Sequence, residues 1–505
     1  MNTHLSRRWF LIRGAAFATT LYAAPKFQKY PFSLGVMSGD PAPDGFVLWT
    51  RLAPDPLNGG GMDPAAVEVD WQVAEDESMR KVVRKGKATA SPVLSHSVHV
   101  EVNGLAPGRP YWFRFKAGKE VSPIGRAITA PRLGQMPQRL KFAFASCQHW
   151  EAGYWTAYKH MLAENPDLVV HLGDYIYEGR IGANGVRKHN SAEIQSLADY
   201  RNRHALYKTD PLLQAMHAHC PWLVTWDDHE VDNNYASDFP EDKQTRTDFL
   251  ERRANAYQAY YEHMPLRMPA KPAGSKMQLY RGVSFGDLAE FTILDTRQYR
   301  TDQPCGDGNK PPCDGTFDAK GTILGDAQET WLKSSLDKSR ARWNIIANQV
   351  LVARIDRKPG PEEMLSMDQW SGYEVCRDRL MKFLRDRKPT NPIVITGDIH
   401  SHWVSDLKVD WKDEKAPVVA SEFVGTSISS GGDGAEEQPT TPDWYRENHH
   451  LKMYNSRRGY VTVTLDGSQC RADYRVMDYV TRPDAPMRAH SSWIVENGRR
   501  GVKRA

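Results

Sequence analysis

Cysteine is scarce in this chain, six among 505 residues, which excludes the disulfide-dense scaffold of a small secreted domain. Charge of one sign is not in excess either. The 66 Lys and Arg against 62 Asp and Glu leave a formal net charge of +4, and the basic residues are spread along the chain, so no stable nucleic-acid binding is expected and nucleic acid remains only as a substrate. The mostly small and apolar stretch Gly14 to Ala24 is too short for a secure membrane span. Internal repeats and coiled-coil heptads are missing, which excludes solenoids and long helical rods. What remains is an ordinary soluble composition, 40% hydrophobic and 25% charged, long enough for two or three domains around a large core.

Ahead of the apolar stretch stands Ser6-Arg7-Arg8-Trp9-Phe10-Leu11. Paired arginines followed by Phe and Leu, then small apolar residues, resemble a twin-arginine export signal. Residues 1–29 are read as that segment, which implies an exported protein, periplasmic or extracellular, with the twin-arginine machinery as a partner. Bulky Leu21 and Tyr22 precede Ala23-Ala24, so cleavage stays open and the membrane is met only in transit or through an uncleaved signal. An oxidising destination suits one disulfide. Cys305 and Cys313 lie in the Gly/Pro-rich segment QPCGDGNKPPCDG, where a bridge would staple a loop with little core of its own. Cys220, Cys376 and Cys470 read as buried small hydrophobes.

From residue 30 to 136 the apolar residues alternate with period two: Val67, Val69, Trp71, Val73, then Val98, Val100, Val102, then Tyr111, Phe113, Phe115. This predicts half-buried antiparallel strands, about seven in roughly 100 residues, the rhythm of an all-β immunoglobulin-like or fibronectin-like sandwich. Arg132 to Arg139 reads as a linker. From 137 to 498 helical patterns alternate with buried apolar runs, which predicts an α/β catalytic domain; residues 499–505 read as a basic tail. The segments Met264 to Gly274 and Ser429 to Asp443 are expected to rim the site as long loops.

Five apolar, β-favouring runs end on a group that can bind metal or move a proton: Leu140 to Cys147, Leu168 to Tyr177, Trp222 to Glu230, Phe291 to Arg297 and Ile393 to His402. Such runs read as strands buried on both faces, and open α/β sheets bind ligands beyond the carboxyl ends of their strands. Asp174 and Tyr177 are spaced to reach one ion, phenolate with carboxylate favouring a hard metal such as Fe(III); the alternative is a buried, hydrogen-bonded tyrosine. Cys147 could complete that shell. Asp227-Asp228-His229-Glu230 places too many ionisable groups at one strand end for a plain core strand, and a cation would offset their burial. Gly397-Asp398-Ile399-His400-Ser401-His402 adds a carboxylate and two imidazoles.

Gly-Asp-x-x-Tyr, then Asp-Asp-His-Glu, then Gly-Asp-x-His resembles the calcineurin-like and purple-acid metallophosphoesterases, and more closely the PhoD-type alkaline phosphatases. The segments LGVMSGDPAPDGFVLWTRL, FASCQ, GDYIYE, TWDDHEVDNN, RRANAYQAYYEHMP, LDTRQYR, NQV and GDIH carry that likeness over most of the chain. The resemblance implies a four-layer α/β/β/α catalytic domain behind the β-sandwich, with a centre pairing Fe(III) with Ca(II). Carried over residue by residue, Cys147, Asp174, Tyr177 and His400 would hold the iron, Asp174 bridging, and Asp228 and Asp398 would hold the calcium side. Asn348 is a further candidate ligand, its alternative being a strand-end backbone cap.

The inferred mechanism is two-metal hydrolysis of a phosphate mono- or diester, a bound water being brought toward a pKa of about 7 and attacking phosphorus. His229 would protonate the leaving alkoxide. Arg297 would either clamp phosphate or form a salt bridge to Asp295 or a neighbour, and His402 and Glu230 would orient the ligands. A monomer is expected. The expected activity is an exported, metal-dependent alkaline phosphatase with phosphodiesterase capability; a phospholipase-D-like or nucleic-acid phosphodiesterase and a non-catalytic exported binding module are the alternatives.

Overall fold

The computed structural model describes residues 26–241 and 243–505, so the arginine pair and the apolar stretch lie outside the described residues. The fold is mixed α/β, rich in strands and built on several sheets. Ten strands form the first sheet, in the order β24 (Lys503–Arg504), β23 (Met487–Glu496), β22 (Gln469–Met477), β21 (Gly459–Asp466), β9 (Arg139–Ala145), β10 (Leu168–His171), β11 (Trp222–Val224), β1 (Val36–Ala42), β2 (Gly45–Arg51) and β5 (Ser97–Val102). Seven form the second: β12 (Arg281–Phe285), β13 (Ala289–Ile293), β15 (Trp343–Ala347), β17 (Pro392–Thr396), β19 (Val418–Val424), β18 (His402–Lys408) and β20 (Leu451–Asn455). A third sheet joins β4 (Val82–Ala90), β3 (Val67–Ala74), β6 (Pro110–Ala117) and β7 (Glu120–Val121), with β8 (Gly125–Ile128) also on β6. β14 (Asn309–Lys310) and β16 (Leu365–Ser366) make a short ribbon.

The five apolar runs are β9, β10, β11, β13 and β17, and each pairs in parallel with its run-bearing neighbours or with β15. Their two apolar faces have different partners. Leu140, Phe142 and Phe144 of β9, Leu168 and Val170 of β10 and Leu223 of β11 share one layer with Phe291, Ile293, Ile345, Ile393 and Ile395 of the second sheet. On the other face Ala143, Val169, Trp222 and Val224 meet α1 (Thr156–Ala163), α2 (Leu197–Lys208), α3 (Pro211–His219) and α4 (Arg246–His263) through Tyr158, Met161, Leu206, Leu213, Met216, Tyr257 and Tyr260. Behind the second sheet Ile346 and Val394 meet Leu332 and Leu336 of α5 (Gly325–Lys338) and Leu380 and Leu384 of α6 (Glu374–Arg387). Strands with helix on one side and sheet on the other have no solvated face, hence no alternation.

The period-two segment forms strands with one shared core: Val36, Phe46, Leu48, Val98 and Val100 pack on Val69, Val73, Phe113 and Phe115. Its inner strands do not close on themselves. β1 runs parallel to β11 with Gly39 facing Trp222, so the first sheet passes without a break from this segment into the catalytic part. Gly39 is required there, since a Cβ would stand 2.6 Å from the Pro265 carbonyl oxygen and 2.8 Å from that of Trp222. At the other end the basic tail is a strand: Lys503 and Arg504 pair with Ile494 and Trp493. Cys305 and Cys313 are bridged, and Cys220, Cys376 and Cys470 are free and buried. Among the described residues no helix is long and apolar enough to cross a membrane.

Candidate metal centre

The runs deliver their polar ends to one place through sharp turns. Cys147, Asp174, Asp398 and His400 all have left-handed backbones, with φ of 58°, 54°, 63° and 50°. Such residues cost about 1–3 kcal/mol each and persist where the surroundings over-determine them. Here the turns hold one another: the Cys147 N–H donates to the Gly173 carbonyl and the Gln148 N–H to that of Asp174, both at 3.1 Å. Gly173, with φ 111°, lets the turn after β10 approach the turn after β11, since a Cβ would lie 2.5 Å from the Asp227 nitrogen.

Cys147, Asp174 and His400 each present a ligand atom, and these atoms lie within 4.8 Å of one another. The Tyr177 hydroxyl joins them, donating to Asp174 Oδ2 at 2.9 Å and standing 3.3 Å from His400 Nε2. Ser430 donates to the phenol oxygen at 2.7 Å, which brings the Ser429 to Asp443 loop to the site as expected. Burial first, then the Asp174 and Asp398 carboxylates, push the Cys147 thiol well up; burial and Asp174 do the same to the Tyr177 phenol. Burial and Arg458 drop His400 to about 3, which keeps it a neutral, ligand-ready imidazole.

A second group shares Asp174, with Asp228 and His229 in the same range, and a third joins Asp227, Asp228 and Asp398. Asp174 Oδ1, Asp227 Oδ2 and Asp228 Oδ1 are buried and accept no hydrogen bond among the described residues. Burial pushes Asp174 well up; burial and Asp368 raise Asp398 to about 6. Bared carboxylate oxygens held close together fit a cation, and the two ends of the cluster differ in chemistry. Thiol, phenol and imidazole with one carboxylate suit a hard but thiolate-accepting metal; carboxylates alone suit an oxygen-seeking cation.

His229 flanks both groups. Its Nδ1 lies 2.7 Å from Glu178 Oε2, and its ring lies 4.1 Å from that of Tyr177. Burial opposes its charge, but Glu178, Asp228 and Asp174 overcome that and hold the imidazolium well above the ordinary histidine range. Glu230 ties two turns together, accepting from the backbone N–H groups of Asp174, Tyr175 and Asp227 at 3.0, 2.5 and 2.8 Å. His402, by contrast, lies in β18 and bonds backbone, its Nδ1 accepting from Thr426 and its Nε2 meeting the Arg475 carbonyl.

Two expected roles meet a different geometry. Arg297 is fully buried and committed: Nε donates to Asp227 Oδ1 at 2.5 Å, and Nη1 and Nη2 to Asp368 Oδ1 and Oδ2 at 2.7 and 2.8 Å. Of the two readings for it, the salt bridge is the one present, with Asp227 and Asp368 as partners; Asp295 meets only its backbone N–H. Asn348 is likewise spent. Its amide nitrogen donates to the Val350 carbonyl and to Thr396, and its oxygen accepts from the Trp370 indole at 3.1 Å, so it caps a strand end and leaves the ligand set without it.

Sequence reasoning passed over Glu178, Asp368, Gln369, Ser430 and Arg458. Gln369 donates to Asp398 Oδ2 at 2.5 Å, and Arg458 donates to the His400 carbonyl. The acid of GDYIYE and the Asp-Gln pair before Trp370 were the available signals. A further group, His149, Glu151 and His189, touches the site through the His149 ring, 4.4 Å from that of Tyr177. Glu151 there accepts backbone N–H groups of Gly182 and His189, and His189 meets the Gly179 carbonyl and the Tyr207 hydroxyl, a bonded scaffold. The Met264 to Gly274 loop instead lines a separate 700 Å³ cavity with Arg246 and Arg253.

Bared carboxylates at the ends of parallel strands, beside an imidazolium fixed by a glutamate, define an enzyme suited to hydrolysis of an anionic ester. Residues 142–474 match the PhoD-like phosphatase family and residues 16–131 that family's N-terminal domain. The chain is 51% identical over 489 residues to alkaline phosphatase D of Bacillus subtilis (strain 168), covering 95% of this chain and 84% of that protein. A solved structure described as that of PhoD superposes with a TM-score of 0.94 at 51% identity, covering 95% of this chain and 93% of the other. The chain therefore belongs to the PhoD-like phosphatase family and is a phosphoric ester hydrolase.

Proposed function

We propose an exported alkaline phosphatase, active on phosphate monoesters and able to take diesters, that works with Fe(III) and Ca(II). The observation that carries this is Asp174: one carboxylate stands in two of the three ligand groups, with Oδ1 buried and taking no hydrogen bond among the described residues. Cys147, Asp174, Tyr177 and His400 would hold the iron, and Asp174, Asp228 and Asp398 the calcium. The cations would supply positive charge for the ester oxygens and an acidified water as nucleophile. The chain's own residues do the rest. Glu178 fixes His229 Nδ1 and keeps the ring charged, so the other nitrogen can give a proton to the departing alkoxide under alkaline conditions, where free histidine is neutral. Arg297 holds Asp227 in place and balances charge around Asp228.

The shared apolar layer between the two sheets, with helices behind each, supports a four-layer α/β/β/α catalytic part, and the common core of the first hundred residues supports an immunoglobulin- or fibronectin-like sandwich over residues 30–136. The paired arginines support export by the twin-arginine route to the periplasm or beyond. Turnover of a matched aryl phosphate monoester and diester by cation-loaded enzyme tests the activity: faster monoester hydrolysis is expected, and a strong diester preference would move the reading to a phosphodiesterase.

Cys147→Ala is expected to lose iron and any thiolate-to-metal colour; full iron content by elemental analysis would remove Cys147 from the set. Cation removal gives a pH signature. Asp398 is held at about 6, and burial raises Glu230 to about 7, both above the unfolded range near 4. Stability from such raised groups is complete below pH 4 and is lost as pH climbs through their folded values. Chelated enzyme should thus weaken between about pH 4 and 8, and bound calcium should remove the part of that slope that Asp398 contributes. An unchanged denaturation midpoint across the window, with and without chelator, would count against a cation site.

A further inference from the structure

We infer that the loop closed by the Cys305–Cys313 bridge is a positioning element for the acid centre, and that Gln303 and Asp307 are positioning residues acting through Asn234 and Asp368; this rests on reading Asp228 and Asp398 as carboxylates that serve the reaction. The loop backbone is unusual. Cys305 and Asp307 have φ, ψ of 59°, 14° and 61°, −179°, and Gly306 and Gly308 between and after them have φ of 77° and 70°. Four left-handed residues in succession, two of them with side chains, are kept only by what surrounds them. Most side chains from Thr301 to Lys310 are exposed or half-buried, so little core is there to do it. The bridge, closing the chain over a separation of eight residues, and a few polar bonds remain.

Those bonds lead to both walls of the centre. Asp307 Oδ2 accepts from Asn234 Nδ2 at 2.8 Å, and Gln303 Nε2 donates to the Asn234 carbonyl at 2.6 Å. The Asn234 N–H in turn donates to Asp228 Oδ2 at 2.7 Å, so the loop grips the residue that aims one carboxylate. Gln303 also donates to Asp368 Oδ1 at 2.8 Å, the oxygen that Arg297 Nη1 uses. On the opposite wall β14, inside the bridge, pairs with β16, and the Met367 N–H donates to the Gly308 carbonyl at 2.9 Å. The chain then runs straight into Asp368 and Gln369, the latter on Asp398. One loop therefore braces the Asp228 side and the Asp398 side together.

The test uses cation-loaded full-length enzyme and an aryl phosphate, comparing Cys305→Ser with Cys313→Ser as a pair, Asp307→Ala, Asp307→Asn, and the serine pair combined with Asp307→Ala. Loss of a partner bonded directly to a metal ligand costs about 10- to 100-fold in metal affinity or activity, and Asp307 sits one bond further out, so the low end of that range applies. We expect the serine pair and Asp307→Ala each to lower kcat about tenfold with KM within about twofold, Asp307→Asn to retain kcat because it keeps the accepting oxygen, and Asp307→Ala to add nothing in the serine background. Wild-type kcat in the serine pair, multiplicative losses in the combined variant, or an asparagine as weak as the alanine would each overturn the inference. Asp228→Ala separates the two levels: if it abolishes turnover while the loop variants do not, only the positioning role falls; if it leaves kcat intact, the reading of the centre falls and the inference with it.

Discussion

His229→Ala is expected to lower kcat on an alkyl phosphate by about 10² to 10⁴, the usual worth of a placed general acid, while an ester with a good leaving group loses little. The ring meets Glu178 on one side and Tyr177 on its face, and it neighbours Asp174 and Asp228 without being needed to complete the thiol-containing group. Metal content should therefore survive the substitution. Glu178→Gln should act through the same proton. Without that carboxylate the imidazolium is less stabilised, its pKa falls, and the alkaline limb of the kcat profile should move to lower pH. An equal loss on good and poor leaving groups, or an alkaline limb that stays put in Glu178→Gln, would refute the acid role.

Arg297→Met is expected to destabilise the fold by about 3–5 kcal/mol, the typical result of taking one partner out of a buried charge network, a large share of a total of about 5–15. The guanidinium bonds Asp227 and Asp368 directly and lies 3.6 Å from Asp228. Burial alone would raise Asp228 and Asp368; Arg297 pulls both below the ordinary carboxylate range. Depressed carboxylates contribute stability above their unfolded pKa near 4, and it is lost as pH falls through the folded values. With the cation gone, burial wins and the sign inverts. The deficit against the native chain, read from guanidinium unfolding at matched cation load, should be small near pH 4 and largest near pH 8. Equal deficits at both would mean the residue matters for packing and not for charge.

The five run-bearing strands could be read from the sequence because a strand covered on both faces has to be apolar throughout, and any polar residue at its end then stands out. Cys147, Asp174, Tyr177, Asp228, Asp398 and His400 were found that way, and the fold brings them together. Long-range pairing was not legible. Arg297 follows its run as a free cation would, but its partner Asp368 arrives from a separate loop; Asn348 looks like a ligand until the Trp370 indole takes its oxygen. The seam between β1 and β11 was hidden as well, since period-two alternation says which face a residue uses and nothing about which strand lies alongside.

That seam, together with the neighbour on the far side of the sheet, governs the order in which the protein can be made. β9, which ends just before Cys147, has β21 as its other neighbour, Phe144 facing Val461, while β1 waits for Trp222 to reach Gly39. Contacts so distant along the chain bring a large loop-closure cost before they stabilise anything, and they slow folding. A nascent chain that holds Trp222 but not Val461 can seat β1 on β11 yet leaves one edge of β9 unpaired, open to association with other chains. That edge of the first sheet can therefore close only once the chain has been made past β21, which makes shorter chains the vulnerable species.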